Sequence, residues 1–230
     1  MMRPSLNIEK ITLYRNNLTV CEDATLTVHA GEITVLLGPN GAGKSTLLDG
    51  IAGVIPTHNG RVMLNGEEIT KWTPFRRTNA GIGYVQQGRT VFKELTVREN
   101  LSLVDSSKND VEEALELFPR LTEIRNTKAG FLSGGEQQML VLARTIAMKP
   151  KFMLIDEPSY GLAPKVVTLI MRVLKQLSES GTGILLVEQY AKRALEISKN
   201  TYVIQKGKIK LSEASNLLLE NPDSLKFTYF

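Results

Sequence analysis

The nine residues GPNGAGKST, at positions 38–46, indicate which class of fold to expect. They follow the apolar run ITVLL, at 33–37, and they lead into a helical pattern over 44–52. A glycine-rich loop between a strand and a helix, ending in Lys-Ser, matches the phosphate-binding pattern G-x-x-x-x-G-K-[ST]. Its glycines let the backbone N–H groups turn toward phosphate oxygens, and the helix adds the positive end of its dipole. We therefore expect a nucleoside triphosphate site within a parallel α/β sheet.

Two residues of this loop have distinct expected roles in binding the nucleotide. Lys44 places its charge against the β- and γ-phosphates, and Ser45 offers a hydroxyl to Mg²⁺. The predicted ligands are thus ATP and Mg²⁺. The predicted nucleotide contacts in the loop are Gly38, Pro39, Asn40, Gly41, Ala42, Gly43, Lys44, Ser45 and Thr46.

A second chemical segment is FMLIDEPS, at 152–159, in which four apolar residues lead to Asp156 and Glu157. Ligands of an open parallel sheet gather at the carboxyl ends of its strands, so these acids should lie near Lys44. We expect Asp156 to hold Mg²⁺, directly or through water. Glu157 is expected to polarise a water molecule aimed at the γ-phosphate.

Composition excludes several other classes. The chain has 230 residues, 42% of them hydrophobic and 23% charged, as in ordinary soluble globular proteins. No apolar run approaches the roughly 18 to 20 residues of a membrane span. The net charge of +4 is spread along the chain, so no nucleic-acid partner is expected. A single cysteine, Cys21, cannot form an internal disulfide, which favours the reducing cytoplasm.

Short apolar runs alternate with helical patterns along the chain. Three of the runs are apolar without alternation, which is typical of parallel strands covered by helices on both faces. Strands are predicted at 6–14, 33–37, 61–65, 152–155, 183–187 and 201–205, and helices at 44–52, 164–179 and 189–198. The stretch 95–149 is mostly helical in pattern, which predicts a helical insert in an α/β domain.

The segment LSGGEQQ, at 132–138, resembles the LSGGQ signature of ATP-binding-cassette (ABC) ATPases, and it lies between the loop and the paired acids in that family's order. The resemblance implies an α/β fold: a P-loop NTPase (RecA-like) core with an antiparallel β subdomain and an inserted α-helical subdomain. It also implies one nucleotide-binding domain over 1–230. The core would cover about 1–87 and 150–230, and the helical subdomain about 88–149.

In that family the signature acts in trans, since two cassettes meet head to tail and each ATP lies between one P-loop and the other subunit's signature. The resemblance therefore makes a second ABC ATPase subunit an expected partner, in a hetero- or homodimer. It extends the expected nucleotide contacts to Ser133, Gly134, Gly135 and Glu136.

Other positions match the family one by one. Gln87 aligns with the glutamine that contacts Mg²⁺ or the attacking water, although Gln86 is an alternative for that part. Tyr14 matches the aromatic residue that stacks on adenine. The segment from Gly88 to about Glu99 matches the surface on which transporter members receive their membrane partners. Ala163 replaces an aspartate found in many members, which puts in doubt any contact that needs that acid.

The run ILLVEQYA, at 184–191, carries the last expected catalytic residue. Most family members have a histidine just past this strand, but the two histidines here, His29 and His58, lie far upstream. Gln189 takes that place. Its amide can still donate a hydrogen bond, but it cannot take up a proton and become positively charged as histidine can. Glu188 should point the opposite way and is expected to be structural.

Together, LSGGEQQML, DEPSxGLAP and LLVEQ resemble the smaller ATPase subunit of branched-chain amino acid importers, or of the related urea and short-amide importers. The resemblance implies ATP hydrolysis that drives transmembrane permease subunits, with an extracytoplasmic solute-binding protein as an indirect partner. It places the chain in the cytoplasm, on the inner face of the cell membrane. The alternatives are the ATPase of a lipid or lipopolysaccharide exporter, a soluble cassette acting on ribosomes or DNA, and a weakly catalytic module paired with a more active cassette.

Overall fold

Two β-sheets and a set of helices make up residues 3–189 and 191–221, the part of the chain that the computed structural model describes. The strands are β1 (Ser5–Arg15), β2 (Leu18–His29), β3 (Ile33–Leu37), β4 (Asn59–Leu64), β5 (Glu67–Glu68), β6 (Ile82–Val85), β7 (Phe152–Asp156), β8 (Gly183–Val187), β9 (Asn200–Gln205) and β10 (Lys208–Ala214). The helices are α1 (Lys44–Ala52), α2 (Pro74–Asn79), α3 (Val97–Leu101), α4 (Lys108–Glu116), α5 (Pro119–Glu123), α6 (Gly134–Ile146), α7 (Pro164–Glu179), α8 (Ala191–Ile197) and α9 (Ser215–Glu220).

The larger sheet has the strand order β10-β9-β3-β8-β7-β6, and its strands are parallel except for the β9–β10 hairpin. The hairpin turns at Lys206 and Gly207, both with positive φ. The smaller sheet, in the order β2-β1-β4-β5, is antiparallel. The predicted α/β fold with an antiparallel β part and inserted helices is confirmed.

The central strands are apolar along their whole length because both faces of the sheet are covered. In β3, Val35 packs into a cluster with α6 and α7, whereas its neighbour Leu36 packs into a second cluster with α1 and the antiparallel sheet. Strand β8 divides in the same way, with Leu186 on the first side and Leu185 on the second. Successive side chains of a strand point to opposite faces, so a doubly covered strand requires an unbroken apolar run.

The two outer edges of the fold were less visible in the sequence. The sequence predicts strand β1 but not β2, β5, β6 and β10. Helix α7 begins and ends where the pattern predicts, at Pro164 and Glu179, and its Pro at the first position favours that start. The expected subdomain boundaries near 88 and 149 remain a prediction, and the predicted domain also includes residues 1–2, 190 and 222–230, which lie outside the described residues.

The C-terminal end of α1 is closed by a buried arginine of α2. Arg77 is 2% exposed, and its guanidinium donates to the carbonyl oxygens of Gly50 (2.8 Å) and Ile51 (2.6 Å) in α1. It also donates to the carbonyls of Thr70 (2.6 Å) and Trp72 (3.2 Å). Burial lowers its pKa to about 10, which still leaves it charged at neutral pH. The bonds fix α1 against the segment that precedes β6.

Helices α3 to α6 form the insert between β6 and β7. Three of them begin with complete capping boxes, in which a Ser or Thr and an acid three residues later satisfy each other's backbone N–H groups. Buried Asn100 of α3 holds the preceding loop through the N–H of Phe92 (2.9 Å) and its carbonyl oxygen (3.0 Å). Among the described residues, the helices are all too short or too polar to cross a membrane.

Candidate nucleotide site

The loop at 38–46 joins β3 to α1 in a shape that needs its glycines. Gly43, the N-cap residue of α1, has φ 105°, a value that residues with a Cβ rarely adopt. At Gly38 the difficulty is space, because a Cβ there would lie 2.3 Å from the carbonyl oxygen of Ile204. The N-cap glycine has no side chain to bond the first-turn N–H groups of α1. Those groups face the mouth of the loop, where an anion can accept from them.

Lys44 reaches across the mouth of this loop. Its side chain is 5% exposed, and its Nζ donates to the carbonyl oxygens of Gly38 (2.9 Å) and Pro39 (3.1 Å). The same Nζ lies 3.6 Å from Oε1 of Glu157. The structure thus brings together the two residues for which the sequence predicts the largest parts in chemistry.

Asp156 ends β7 almost completely buried, at 2% exposure. Burial raises the pKa of its carboxyl group above the ordinary value, while a hydrogen bond from Ser45 opposes that rise. Its Oδ1 has no hydrogen-bond partner among residues 3–189 and 191–221. A buried carboxylate oxygen without a donor, beside a hydroxyl at a phosphate loop, fits a hard cation such as Mg²⁺.

Glu157 is held in an unusual backbone conformation. Its φ of 46° lies in the left-handed region, which costs a residue other than glycine on the order of 1 kcal/mol or more. Its N–H donates to the carbonyl of Val187 at the end of β8, 3.0 Å away. Gln87 donates from Nε2 to Oε2 of Glu157 at 2.9 Å. Because Gln86 does not line this site, the geometry favours Gln87 over its neighbour.

Gln189 also lies at the site, as the sequence predicts. Its Nε2 donates to Oδ1 of Asn40 at 3.0 Å, which joins the end of β8 to the phosphate loop. Glu188 has a different task and is buried, at 1% exposure. Its carboxylate accepts from the hydroxyl of Ser159 (2.9 Å) and from the N–H of the same residue (3.2 Å), which ties β8 to the loop after β7. These bonds support the structural role expected for Glu188, which stays a prediction.

The phosphate loop, Gln87, Glu157 and Gln189 surround a depression of about 460 Å³. Its lining includes three residues that the sequence analysis did not single out: Arg15, Val20 and Tyr160. Arg15 pairs with the buried Asp49 of α1, which also accepts from the hydroxyl of Tyr84 at 2.9 Å. A signal for Arg15 was available, since a cation at the end of β1 directly follows the expected adenine contact.

Tyr14 is an expected adenine contact that lies apart from the phosphate depression. Its ring packs edge-on against His58, with 4.5 Å between the ring centroids, and it lines a neighbouring hollow rather than the phosphate depression. Its side chain alternates with that of Arg15 at the end of β1, so only one of the two faces the loop. The adenine contact of Tyr14 stays a prediction.

The signature residues form a second helix N-terminus, at α6. Ser133 is the N-cap, and its hydroxyl accepts from the N–H of Glu136 at 3.3 Å. The carboxylate of Glu136 accepts in turn from the N–H of Ser133 (2.9 Å) and from Nε of Arg120 (2.9 Å). Burial alone would raise the pKa of Glu136, but these hydrogen bonds hold it below its ordinary value. Residues 133–136 do not line the depression at Lys44.

Residues 21–160 match the family model described as ABC transporter. The chain belongs to the ABC transporter family. It is 39% identical to the branched-chain amino acid transport ATP-binding protein BraG of Pseudomonas aeruginosa, over 94% of this chain and 96% of that one. It is 40% identical to the probable branched-chain amino acid transport protein LivF of Archaeoglobus fulgidus, over 94% of each.

Two further similarities concern other relatives in the family. The lipopolysaccharide export ATP-binding protein LptB of Haemophilus influenzae is 34% identical, over 89% of this chain and 88% of that one. A solved ATP-binding cassette of an ABC transporter, in its ADP conformation, superposes with a TM-score of 0.84 at 27% identity, over 98% of both chains. The resemblance to ABC ATPases is therefore confirmed for the family and for the fold.

Proposed function

We propose that this chain is the ATP-hydrolysing subunit of a membrane importer for branched-chain amino acids or a related small polar solute. The observation that carries the ATPase part is the cluster of Lys44, Glu157 and Gln87 at the mouth of the phosphate loop. The nature of the solute is supported by the similarity to BraG and LivF over nearly the whole chain.

In this proposal the loop binds the phosphates of ATP through its backbone N–H groups, and Lys44 gives up its loop carbonyls to bind phosphate oxygens. Glu157 orients the attacking water and accepts its proton. The Gln87 amide holds that carboxylate in place. Gln189 would bind near the terminal phosphate through its amide, since it already lies against Asn40.

Ser45, Asp156 and Gln87 would hold Mg²⁺, which neutralises charge on the transferring phosphoryl group. Each offers an oxygen, and octahedral Mg²⁺ is commonly bound through one or two carboxylates together with phosphate oxygens and water, so a single acid is enough here. The unpaired, buried Oδ1 of Asp156 is the observation that supports this choice.

A second cassette is needed to complete the site in this proposal. The depression at Lys44 is lined without any of residues 133–136, so Ser133, Gly134 and Gly135 serve the ATP of the partner. Glu136, engaged by Ser133 and Arg120, shapes that helix end in the separate chain.

The permease subunits would dock on the helical insert, next to the segment from Gly88 to Glu99. A groove of about 470 Å³ lies there among α3, α4 and α5. Three cations, Arg98, Lys108 and Arg125, line it beside one acid, Glu112, and none of the three forms an ion pair within the described part of the chain. A short permease helix that carries acidic side chains fits this charge. The chain would then sit on the inner face of the membrane, with the solute-binding protein across it.

The test is transport by the assembled complex. The chain is co-expressed with the permeases, second cassette and solute-binding protein of its transport system, and the complex is reconstituted in liposomes that contain ATP. We expect ATP-dependent uptake of leucine, isoleucine and valine, or of urea and short amides, and none when Glu157→Gln replaces the wild-type chain. Extraction of a lipid or lipopolysaccharide instead of uptake would contradict import and favour the exporter, and co-sedimentation with ribosomes alone would contradict both.

A further inference from the structure

Arg89 joins three segments of the chain that the proposed function uses. It lies two residues after Gln87, in the loop that follows β6. Its Nη2 donates to the carbonyl oxygen of Tyr160, in the loop after β7, at 2.7 Å. Its guanidinium also lies on the first residue of α6, because a Cβ added to Gly134 would be 2.2 Å from Nη1. One side chain therefore contacts both the loop that follows the catalytic acid and the signature helix.

The backbone is shaped to place this side chain. Gly88 and Arg89 have φ values of 104° and 53°, so the chain makes a sharp left-handed turn directly after Gln87. Left-handed backbone is unfavourable for an arginine and persists where the surroundings hold it. The N–H of Val91 closes the turn by donating to the carbonyl of Arg89 at 2.8 Å.

A second arginine attaches the same loop to the other end of α6. Arg144, near the C-terminus of that helix, donates from Nη2 to the carbonyl of Thr90 at 2.7 Å. Its guanidinium lies 5.5 Å from the ring centroid of Phe92. Two attachments fix the direction of a helix relative to the loop, whereas one attachment leaves a pivot.

We propose that Arg89 is a positioning residue that couples the chain's own nucleotide site to the α6 N-terminus offered to a second cassette. The inference rests on the proposed function, since it requires that ATP at Lys44 acts on Gln87 and Glu157. A displacement of either loop reaches α6 through the charge-assisted bond to Tyr160 and the contact with Gly134. Without Arg89, Arg144 is the only arginine that attaches this loop to α6. The N-terminal end of α6 is then free to move about the attachment at Arg144.

Hydrogen exchange in the full chain tests this coupling. A Glu157→Gln background prevents turnover, and exchange is measured with and without Mg·ATP. In that background ATP should slow exchange of the amides at 38–46 and change exchange at 134–137. Arg89→Met should keep the ATP-dependent slowing at 38–46 within about twofold. It should reduce the ATP-dependent change at 134–137 about tenfold, because a charge-assisted contact is lost. Arg172→Met, on the exposed face of α7, is the matched control and should keep both responses.

Two further variants separate coupling from local packing. Gly134→Ala pushes the guanidinium aside from the helix end without shortening it, and it should reproduce the loss at 134–137. Arg89→Lys keeps a charge but not the planar fork, so it should restore only part of the response.

The outcomes distinguish a failure of the coupling through Arg89 from a failure of the proposed nucleotide site. A response at 38–46 together with an unchanged response at 134–137 in Arg89→Met would overturn the coupling and leave the proposed function standing. No response to ATP at 38–46 in the background variant would overturn the proposed nucleotide site, and the inference with it.

Discussion

Two helix N-termini in this chain are built in opposite ways. At α1 the N-cap is Gly43, which has no capping side chain, and the nearest cation, Lys44, bonds to carbonyls of its own loop. At α6 the N-cap is Ser133, and Glu136 completes a capping box that Arg120 braces from outside. The first helix end leaves its N–H groups for a ligand, whereas the second satisfies part of them within the chain.

The difference indicates which end binds an anion by itself. The α1 end combines free N–H groups with a buried lysine, so it is prepared for phosphate in the isolated chain. The α6 end carries a carboxylate in its first turn, which favours the folded chain but repels an approaching phosphate. We expect the α6 end to gain affinity only when a second cassette supplies the rest of the site.

The largest effect should come from the acid on the α1 side. Glu157→Gln keeps the shape and the acceptor for Gln87 but removes the base, so ATP hydrolysis in the assembled complex should fall about a thousandfold. Nucleotide binding to the isolated chain should persist. Glu188→Gln is the matched control, because it alters a buried acid at the adjacent strand end whose partner is Ser159. Equal losses in the two variants would mean that Glu157 has no special part in the chemistry.

The next effect concerns the charge at the loop. Lys44→Met keeps most of the volume but loses the cation, and the affinity for a fluorescent ATP analogue should fall about a hundredfold. Lys175→Met, on the exposed side of α7, should bind as the wild type does. If both variants bound equally well, the free N–H groups of α1 would suffice without the lysine, and the contrast between the two helix ends would rest on capping alone.

The capping of α6 should be measurable as a contribution to the free energy of unfolding. Ser133→Ala removes the cap and should lower the free energy of unfolding by about 1 kcal/mol at neutral pH. The pKa of Glu136 is lowered in the folded chain, so its capping bonds stabilise above the ordinary glutamate pKa of about 4.3 and are lost as the pH falls through the folded value. The cost of Ser133→Ala should therefore shrink on acidification, as urea denaturation at two pH values will measure.

Thr73 offers the control for this pH dependence. It caps α2 through the N–H of Arg76, a position that carries no acid. Thr73→Ala should cost a similar free energy that does not vary over the same acidic range. A pH-independent cost at Ser133 as well would contradict the part assigned to Glu136.

The smallest effect is expected at Gln189. Gln189→Ala removes one hydrogen bond to Asn40 and should lower turnover about fivefold, the scale of a single neutral bond. Gln189→His should keep activity, since its ring also donates. Turnover is compared in the assembled complex with Asn40→Ala and with the double variant, which should be no slower than the slower single variant. An unaffected Gln189→Ala variant would make this amide purely structural.

Local sequence patterns predicted the elements whose apolar runs or helical periodicity are uninterrupted. The unbroken apolar runs of β3 and β8 and the periodicity of α7 each follow from packing on fixed faces. Strand β2 was missed because its alternation is interrupted at Glu22 and Asp23, and Asp23 has a positive φ opposite irregular pairing of β1. Strand β6 has four residues with Gly83 in the middle, where the side chain of Thr145 leaves no room for a Cβ.

The candidate site was predictable where its residues belong to short motifs that follow parallel strands. Lys44, Asp156 and Glu157 meet because parallel strands end at one edge of the sheet. Arg89 was not predictable, because both of its contacts are far away in sequence. It donates to the backbone carbonyl of Tyr160 and packs against Gly134, which has no side chain to signal the contact. The capping part of Glu136 was visible in principle, since Ser-x-x-Glu before a helix is a capping signal.

The buried guanidinium of Arg77 has an electrical consequence at the phosphate loop. It neutralises the carbonyl end of α1, so helix and arginine together act as a net positive charge rather than as a balanced dipole. The helix is nine residues long, or about 13 Å, and its surroundings are apolar, so solvent screens this field weakly. Part of the attraction that a phosphate meets at Lys44 therefore originates in α2, on the far side of the helix.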